Sequence, residues 1–568
     1  MLVVRGHLRS VSALLVVLAA VLSTAGAADC VGVVANEAFK PGDFERCAAI
    51  TVGDASRGVR VHVFWTILGR GTKDEEITLA AQFPSDRGWV AIGLSESGSM
   101  YGSDIFVVRK PTGGITVAED RFARSSVTPT LDAVQDVTLV ATDASSGTTS
   151  IVIKRPTKTC HSTAEDIDFT DVLTAVIVAW GEDHEFAYHS PGRRATGWLN
   201  FFDLPTPENT AGLLTHEVRG NTLQVPVDKT VYCYSGHKLP QDKKYHVVRA
   251  EAFLNSSHPQ LVHHMILYTC LQDLDETFYN QTQTGPPVCA VGMKQKGMCY
   301  SFWILWAVGG NAMQMPNEAG MPMGLATIPG DVSTARNVML EVHYDNPDRV
   351  QITDSSGFKL YYTDKLRDND AVIMTLGHMD IDIPPGAVSH EHINECSGAC
   401  TSKMKGPITA LWAGLHMHAA GKGIWTQHFR GLEELPRLGH KASWDFNQQS
   451  PSHVKAVIKP GDRLVTHCTY NSESSTQRKT FGEGSDDEMC FNFLLVYPAE
   501  SVPFMCIDLA DLAGTSSGQG TPRMGICLTQ DSQQELAGVL DLGMGGGRDV
   551  NVLDSLNSLG KMTIPFDA

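Results

Sequence analysis

Apolar and polar residues alternate in short runs over the first third of the chain. Val61, Val63, Trp65 and Ile67 occupy every second position, and Ile151 and Ile153 repeat the pattern. Alternation of this kind places one set of side chains on one face of an extended strand. Ser95-Glu96-Ser97-Gly98 and Ser145-Ser146-Gly147 interrupt the runs with turn-forming residues. From about 59 to 202 no long window carries a helical period, and short strands separated by turns predict a β-sandwich. Pro205-Thr206-Pro207 reads as a linker. Strand-like character resumes at 245–250, 261–268 and 338–344. A second boundary lies near 363–370, and a third sandwich-like block runs from 380 to about 509. From Gln530 the chain reads as a flexible tail with glycines over 543–547 and a short helix over 535–542. The pattern predicts a mainly β protein of three sandwich-like domains in series, without solenoid repeats.

The 568 residues carry a net charge of −18 and no cluster of Lys and Arg, so nucleic acid is not an expected partner. Arg5, His7 and Arg9 flank a short apolar run over 11–22, followed by Ala25-Gly26-Ala27. That run is too short to span a bilayer and fits a secretory signal over 1–27; an uncleaved anchor is the weaker alternative. No membrane span is expected after cleavage, which makes the protein secreted or resident in the secretory-pathway lumen. Thirteen scattered cysteines read as disulfides of an oxidising compartment, with one thiol left over. Asn255-Ser256-Ser257 and Asn280-Gln281-Thr282 are glycosylation sequons.

Three histidine motifs carry candidate chemistry: Val262-His263-His264-Met265, His343 within Glu341-Val342-His343-Tyr344-Asp345-Asn346-Pro347, and His416-Met417-His418. His416 and His418 are two apart, so on a strand both imidazoles reach one ion. His263 and His264 are adjacent and would point to opposite faces unless the strand bulges there. A lone histidine is more often a satisfied, partly buried side chain; five in three tight motifs argue for metal. Imidazole suits Zn, Cu, Fe and Ni, and an added thioether would favour copper. Met489, in Glu488-Met489-Cys490, offers one, although spacing alone does not select it from 19 Met residues.

His263-His264-Met265 with Cys270, and Leu415-His416-Met417-His418-Ala419-Ala420-Gly421, resemble the two signatures of the ascorbate-dependent type II copper monooxygenases. Met417 stands where that family commonly has Thr. The block around His343, Glu488-Met489-Cys490, Leu360-Tyr361-Tyr362-Thr363 and Pro460-Gly461-Asp462 extend the resemblance over about 209–528. Gly88-Trp89-Val90-Ala91-Ile92-Gly93, Gly102-Ser103-Asp104-Ile105 and Arg155-Pro156-Thr157-Lys158-Thr159-Cys160 resemble a DOMON domain. That order is similar to the dopamine-β-hydroxylase-like branch of the family. The resemblance implies a signal at 1–27, a DOMON β-sandwich with an N-terminal extension at 28–204, jelly-roll-like copper domains at 209–366 and 367–529, and a tail at 530–568.

The same resemblance implies two coppers per chain. His263, His264 and His343 would hold the one that accepts electrons from ascorbate. His416, His418 and Met489 would hold the one at which O2 reacts with a C–H bond of a small substrate. It also implies the disulfides Cys233–Cys289, Cys270–Cys299, Cys396–Cys506, Cys400–Cys527 and Cys468–Cys490. Cys30–Cys47 is an additional expectation. Cys160 is then left free, or available to bridge to a second chain. Met100 and His189 resemble the axial pair of haem-binding DOMON domains, but core packing and a satisfied histidine are the better expectation there, so haem b is the less favoured cofactor. Two other function classes compete. A secreted DOMON protein binding haem or sugar, without hydroxylase activity, would lack one or more of the six ligands, all of which are present. A zinc hydrolase would need a carboxylate in a motif such as HExxH, which is absent. A phenylethylamine-type amine is the substrate class the resemblance suggests; the segment Phe446-Asn447-Gln448-Gln449-Ser450-Pro451-Ser452 and Met417 argue against assigning dopamine itself.

Overall fold

The computed structural model describes residues 38–529, with 33, 35, 36, 563 and 564, except for 53–58, 97, 126, 160–164, 171–173, 203–209, 271–277, 279–281, 283–284, 286, 290–298, 309, 311, 326–333, 448, 450, 483, 501 and 509–524. The proposed signal, the linker Pro205-Thr206-Pro207, the short helix over 535–542, Cys30, Cys160 and Asn280 lie outside the described residues.

The fold is mainly β. In the first domain a five-stranded sheet built on Val59–Leu68, Glu76–Phe83 and Thr148–Pro156 faces a six-stranded sheet built on Trp89–Ser95, Ser103–Arg109 and Thr174–Gly181. Val61, Val63, Trp65 and Ile67 all point into the core between them, as do Ile151 and Ile153. Burying large apolar side chains of this kind contributes about 1.5–3 kcal/mol each. Trp89–Ser95 departs from the alternating rule, because every residue of the strand is buried. Val90, Ile92 and Leu94 join the sandwich core. Trp89 and Ala91 are covered on the outer face by Met100, Phe186 and Ile105. A strand covered on both faces needs no polar side. Gly88 opens it with φ +75°, where a Cβ would lie 2.1 Å from the Gly181 carbonyl oxygen. Beneath the sheet Arg155 and Asp104 form a buried ion pair of 2.6 Å.

The second domain pairs Thr230–Lys238, Asn337–Asp345, Val262–Cys270 and Cys299–Ala307 in one sheet. The opposite sheet holds Leu214–Arg219, Gly357–Thr363, Lys244–Phe253 and Ala319–Gly324. The third domain sets Ile408–His416, Cys490–Tyr497, Val372–His378 and Pro503–Asp508 against a sheet of His390–Cys396, Arg463–Tyr470 and Gly421–Arg430. Two residues of the C-terminal tail, Thr563–Ile564, pair with Gly525–Thr529. The core of the second domain runs on into the third through Trp412, Phe491 and Phe493, so the two halves present continuous apolar walls to each other.

Five disulfides join Cys233–Cys289, Cys270–Cys299, Cys396–Cys506, Cys400–Cys527 and Cys468–Cys490. Cross-links closing loops of this length each remove freedom from the unfolded chain, worth typically about 2–4 kcal/mol. Cys47 is disulfide-bonded as well, to a partner outside the described residues. Asn255 is exposed, its amide nitrogen donating to Ser355 Oγ at 2.7 Å. Among the described residues no helix is long and apolar enough to cross a membrane.

Candidate metal centres

The strand Val262–Cys270 carries the adjacent histidines, and its pairing with Asn337–Asp345 slips between Val262 and His264. Val262 faces Tyr344 and His264 faces His343, which leaves His263 as the extra residue of a bulge. A bulge turns neighbouring side chains toward a common side. His263 and His264 therefore converge with His343. The Nδ1 atom of His264 lies 3.4 Å from that of His263 and 3.3 Å from that of His343. Two nitrogens each about 2.0 Å from one ion, at a tetrahedral angle, stand roughly 3.3 Å apart. The observed spacing thus fits a single metal held by three Nδ1 atoms.

Protein groups hold two of these rings by stacking, while His343 Nε2 is buried with no partner among the described residues. His263 donates from Nε2 to the Phe446 carbonyl at 3.0 Å and stacks on the Phe446 ring at 4.1 Å. That bond places the proton on Nε2 and leaves Nδ1 its lone pair. His343 stacks flat on Tyr232 at 4.3 Å, its partner across the strand pair. The Glu341 carboxylate lies 3.8 Å from His264 Nε2.

The second cluster grows from the end of the strand Ile408–His416. His416 donates from Nδ1 to Gln449 Oε1 at 2.7 Å, and His418 donates from Nδ1 to the Asp487 carbonyl at 3.1 Å. Both bonds leave Nε2 as the free lone pair. His418 Nε2 is buried and has no partner among the described residues, as expected of an atom that awaits a ligand. The loop is pinned by Glu488, whose buried carboxylate accepts from the amides of His418 at 3.0 Å and Ala420 at 2.6 Å. Burial pushes the Glu488 carboxyl up to about 7, partly offset by those amides. Met489 follows directly and lines the same cavity as His416.

Burial is also the main cause that holds His263 and His416 down at about 3, with the neighbouring His264 adding to it. His343 and His418 are also held well below the usual imidazole value, chiefly by burial. Rings kept neutral in this way are in the form that binds a metal. The side chains at the two places differ: three imidazoles at one, and at the other two imidazoles with the Met489 thioether lining the same cavity as His416. A soft sulfur ligand favours the reduced ion.

The clusters face each other across the domain boundary, with His264 and His416 ring centroids 5.7 Å apart. Gln449 stands between them. Its side chain bonds His416, lies 3.5 Å from His263 Nε2, and its backbone amide donates to the Val308 carbonyl of the other domain at 2.9 Å. The sequence marked this segment as unusual but gave no reason to place it here; Gln449 and Glu488 were not among the expected site residues. The only local signal was that Glu488 sits inside a motif already singled out.

A cavity of about 660 Å³ opens beside both clusters. The first domain docks onto the third near it. Glu96 accepts from His440 Nδ1 at 3.2 Å and from the Ala442 amide at 2.9 Å. Met100 and His189 are each half-buried and both lie near Trp89, whose ring centroid is 6.4 Å from that of His189. His189 donates from Nδ1 to the Ser190 carbonyl at 3.1 Å, which leaves Nε2 with its lone pair.

Residues 216–351 match the family described as copper type II ascorbate-dependent monooxygenase, N-terminal domain, and residues 369–512 match its C-terminal domain. Residues 59–181 match the DOMON domain. The chain is 29% identical over 472 residues to DBH-like monooxygenase protein 1 of Homo sapiens, covering 79% of this chain and 73% of that protein. It is 29% identical over 442 residues to dopamine beta-hydroxylase of Rattus norvegicus, covering 75% and 69%. It is 30% identical over 290 residues to tyramine beta-hydroxylase of Caenorhabditis briggsae, covering 49% and 47%.

Proposed function

Because the chain belongs to the copper type II ascorbate-dependent monooxygenase family, we propose that it is a secreted hydroxylase. Its reaction inserts one atom of O2 into a C–H bond of a small substrate, with ascorbate as reductant. His263, His264 and His343 hold one copper through Nδ1. His416 and His418, through Nε2, hold the second together with the Met489 thioether. The division into a DOMON unit at 28–204 and copper domains at 209–366 and 367–529 is part of the same reading.

The observation that carries the proposal is the opposite orientation of the two histidine sets. The Nδ1 atoms of His263 and His343 each lie within 3.4 Å of that of His264 on one side, while Gln449 and the Asp487 carbonyl turn Nε2 of His416 and His418 outward on the other. When bound, copper supplies the electron relay and the oxygen chemistry. The protein's own groups do the rest. Phe446 and Tyr232 fix ring planes, Glu488 fixes the loop, and the apolar walls exclude water from the space beside the sites. Dopamine beta-hydroxylase and tyramine beta-hydroxylase among the relatives make phenylethylamine-type amines the first compounds to try.

The test is elemental analysis of the purified protein after copper loading and dialysis, followed by oxygen uptake with ascorbate. Two coppers per chain and uptake that needs both copper and ascorbate are expected. No retained copper would remove the proposal and return weight to a DOMON-based binding protein.

A further inference from the structure

The cavity beside the two histidine clusters is wider and more apolar than a single-ring amine needs. Its volume of about 660 Å³ is room for on the order of 20 non-hydrogen atoms, taking about 30 Å³ each as in liquid water. One wall comes from the second domain and includes Ile266, Tyr268, Phe302 and Trp306. The facing wall comes from the third domain and includes Trp412, Phe491, Phe493 and Met505. Trp198 of the first domain reaches the same space. Around Met489 and His416 the lining is mostly aromatic, aliphatic or thioether; its polar members are Thr375 and Gln449, both buried and the latter bonded to His416, and His453, which faces Trp412 across the strand pair, while Arg249 and Gln314 line the cavity from the second domain. The Glu341 carboxylate lies at the opposite cluster, beside His264.

Buried polar groups on a substrate need partners, and a wall with few of them selects against such groups. An apolar wall of this extent rewards each added apolar atom instead. A phenol or catechol ring placed against Phe491 and Phe493 would have only Thr375, and His453 beside Trp412, to match its hydroxyls. A second ring in the same place would bury its whole face.

From this we infer that the substrate class is a molecule with a bulky apolar body, at least two rings or their equivalent, oxidised on a C–H bond within that body rather than on a small phenolic amine. The inference rests on the hydroxylase reading only for which end of the cavity reacts. The cavity's preference for the apolar body does not depend on turnover.

Calorimetric titration of the copper(II)-loaded, ascorbate-free protein tests it without any reaction. The probes are 2-phenylethylamine, its para-hydroxy analogue tyramine, and 2-(biphenyl-4-yl)ethylamine, which share one ethylamine arm. The biphenyl compound should bind at least about tenfold more tightly than 2-phenylethylamine, the gain expected from burying a further ring, and tyramine should bind no better than 2-phenylethylamine. Ile266→Trp and Met505→Trp, on opposite walls, should each erase the biphenyl advantage while single-ring binding persists; retained copper stoichiometry shows that each variant is folded. Equal affinity across the three probes, or tightest binding by tyramine, would overturn the inference. So would a biphenyl advantage that survives both tryptophan substitutions, because the ring would then lie elsewhere. Oxygen uptake measured on the same preparation reports separately on the hydroxylase reading, so either can fail alone.

Discussion

Gln449 donates no ligand, yet it joins the two clusters: its Oε1 accepts from His416 Nδ1 at 2.7 Å and its amide nitrogen lies 3.5 Å from His263 Nε2. It is buried, 4% exposed, so water does not stand in for either contact. Residues that orient a ligating imidazole typically account for about 10–100-fold in metal affinity or activity. Gln449→Ala should lower copper affinity at the His416/His418 site by that order and disturb its paramagnetic resonance signal. The signal of the three-histidine site should change less, since Phe446 still holds His263. Loss confined to the three-histidine site would show that Gln449 serves the other cluster.

Met489 is expected to act on one cluster only. Met489→Ala should abolish most hydroxylation while ascorbate still reduces the copper held by His263, His264 and His343. Stopped-flow loss of the copper(II) signal on mixing with ascorbate separates the two. Equal loss of reduction and hydroxylation would contradict the assignment of the thioether to the second cluster.

Asp462 gives a pH prediction away from the metal ligands. Burial alone would raise its carboxyl, but bonds from Arg430, the Lys459 amide and His428 outweigh this and hold it down to about 2. Arg430 approaches at 2.7 Å and His428 at 2.8 Å. A carboxyl depressed from its usual 3.8 binds fewer protons when folded, so its contribution is present above about pH 4 and is lost as pH falls through about 2. Asp462→Asn should cost about 1–3 kcal/mol at pH 6, and its melting midpoint should approach that of the unaltered protein as pH falls below about 4. A gap that stays constant down to pH 3 would mean the carboxylate charge is not what stabilises this corner.

Gly102 marks where the first domain touches the third. It has φ +72°, and a Cβ there would lie 2.5 Å from the Ser443 Cβ. Gly102→Ala combines a left-handed backbone penalty of about 1–2 kcal/mol with that clash. Amide exchange over 440–444 should speed up as Glu96 loses its contacts with His440 and Ala442. Unchanged exchange in this stretch would show that the docking tolerates a methyl group.

Much of the molecule was legible from residue order because the relevant rules are local. Period-two alternation at Val61, Val63, Trp65 and Ile67 needs only the geometry of one strand, and those residues are buried together. The spacing of His416 and His418 suggested a shared side for the same reason, but the strand ends at His416 and His418 lies beyond it. His263 and His264 were legible as a pair but not as neighbours in space, because their convergence needs a bulge that arises only from pairing with Asn337–Asp345. The full burial of Trp89–Ser95 was not visible either, since its outer face is covered by Met100 and Phe186 from elsewhere in the chain.

By itself, then, the sequence determined the strand pattern, the histidine and cysteine chemistry available, and the family. Tertiary structure decided which nitrogen of His263, His416 and His418 is free, that Gln449 and Phe446 reach from one domain to His263 of the other, and how large a space is left between the walls. The physical reason is that ring orientation and cavity volume depend on groups far apart in the chain: 186 residues separate Gln449 from His263, and no local propensity encodes a contact made only when two sheets meet.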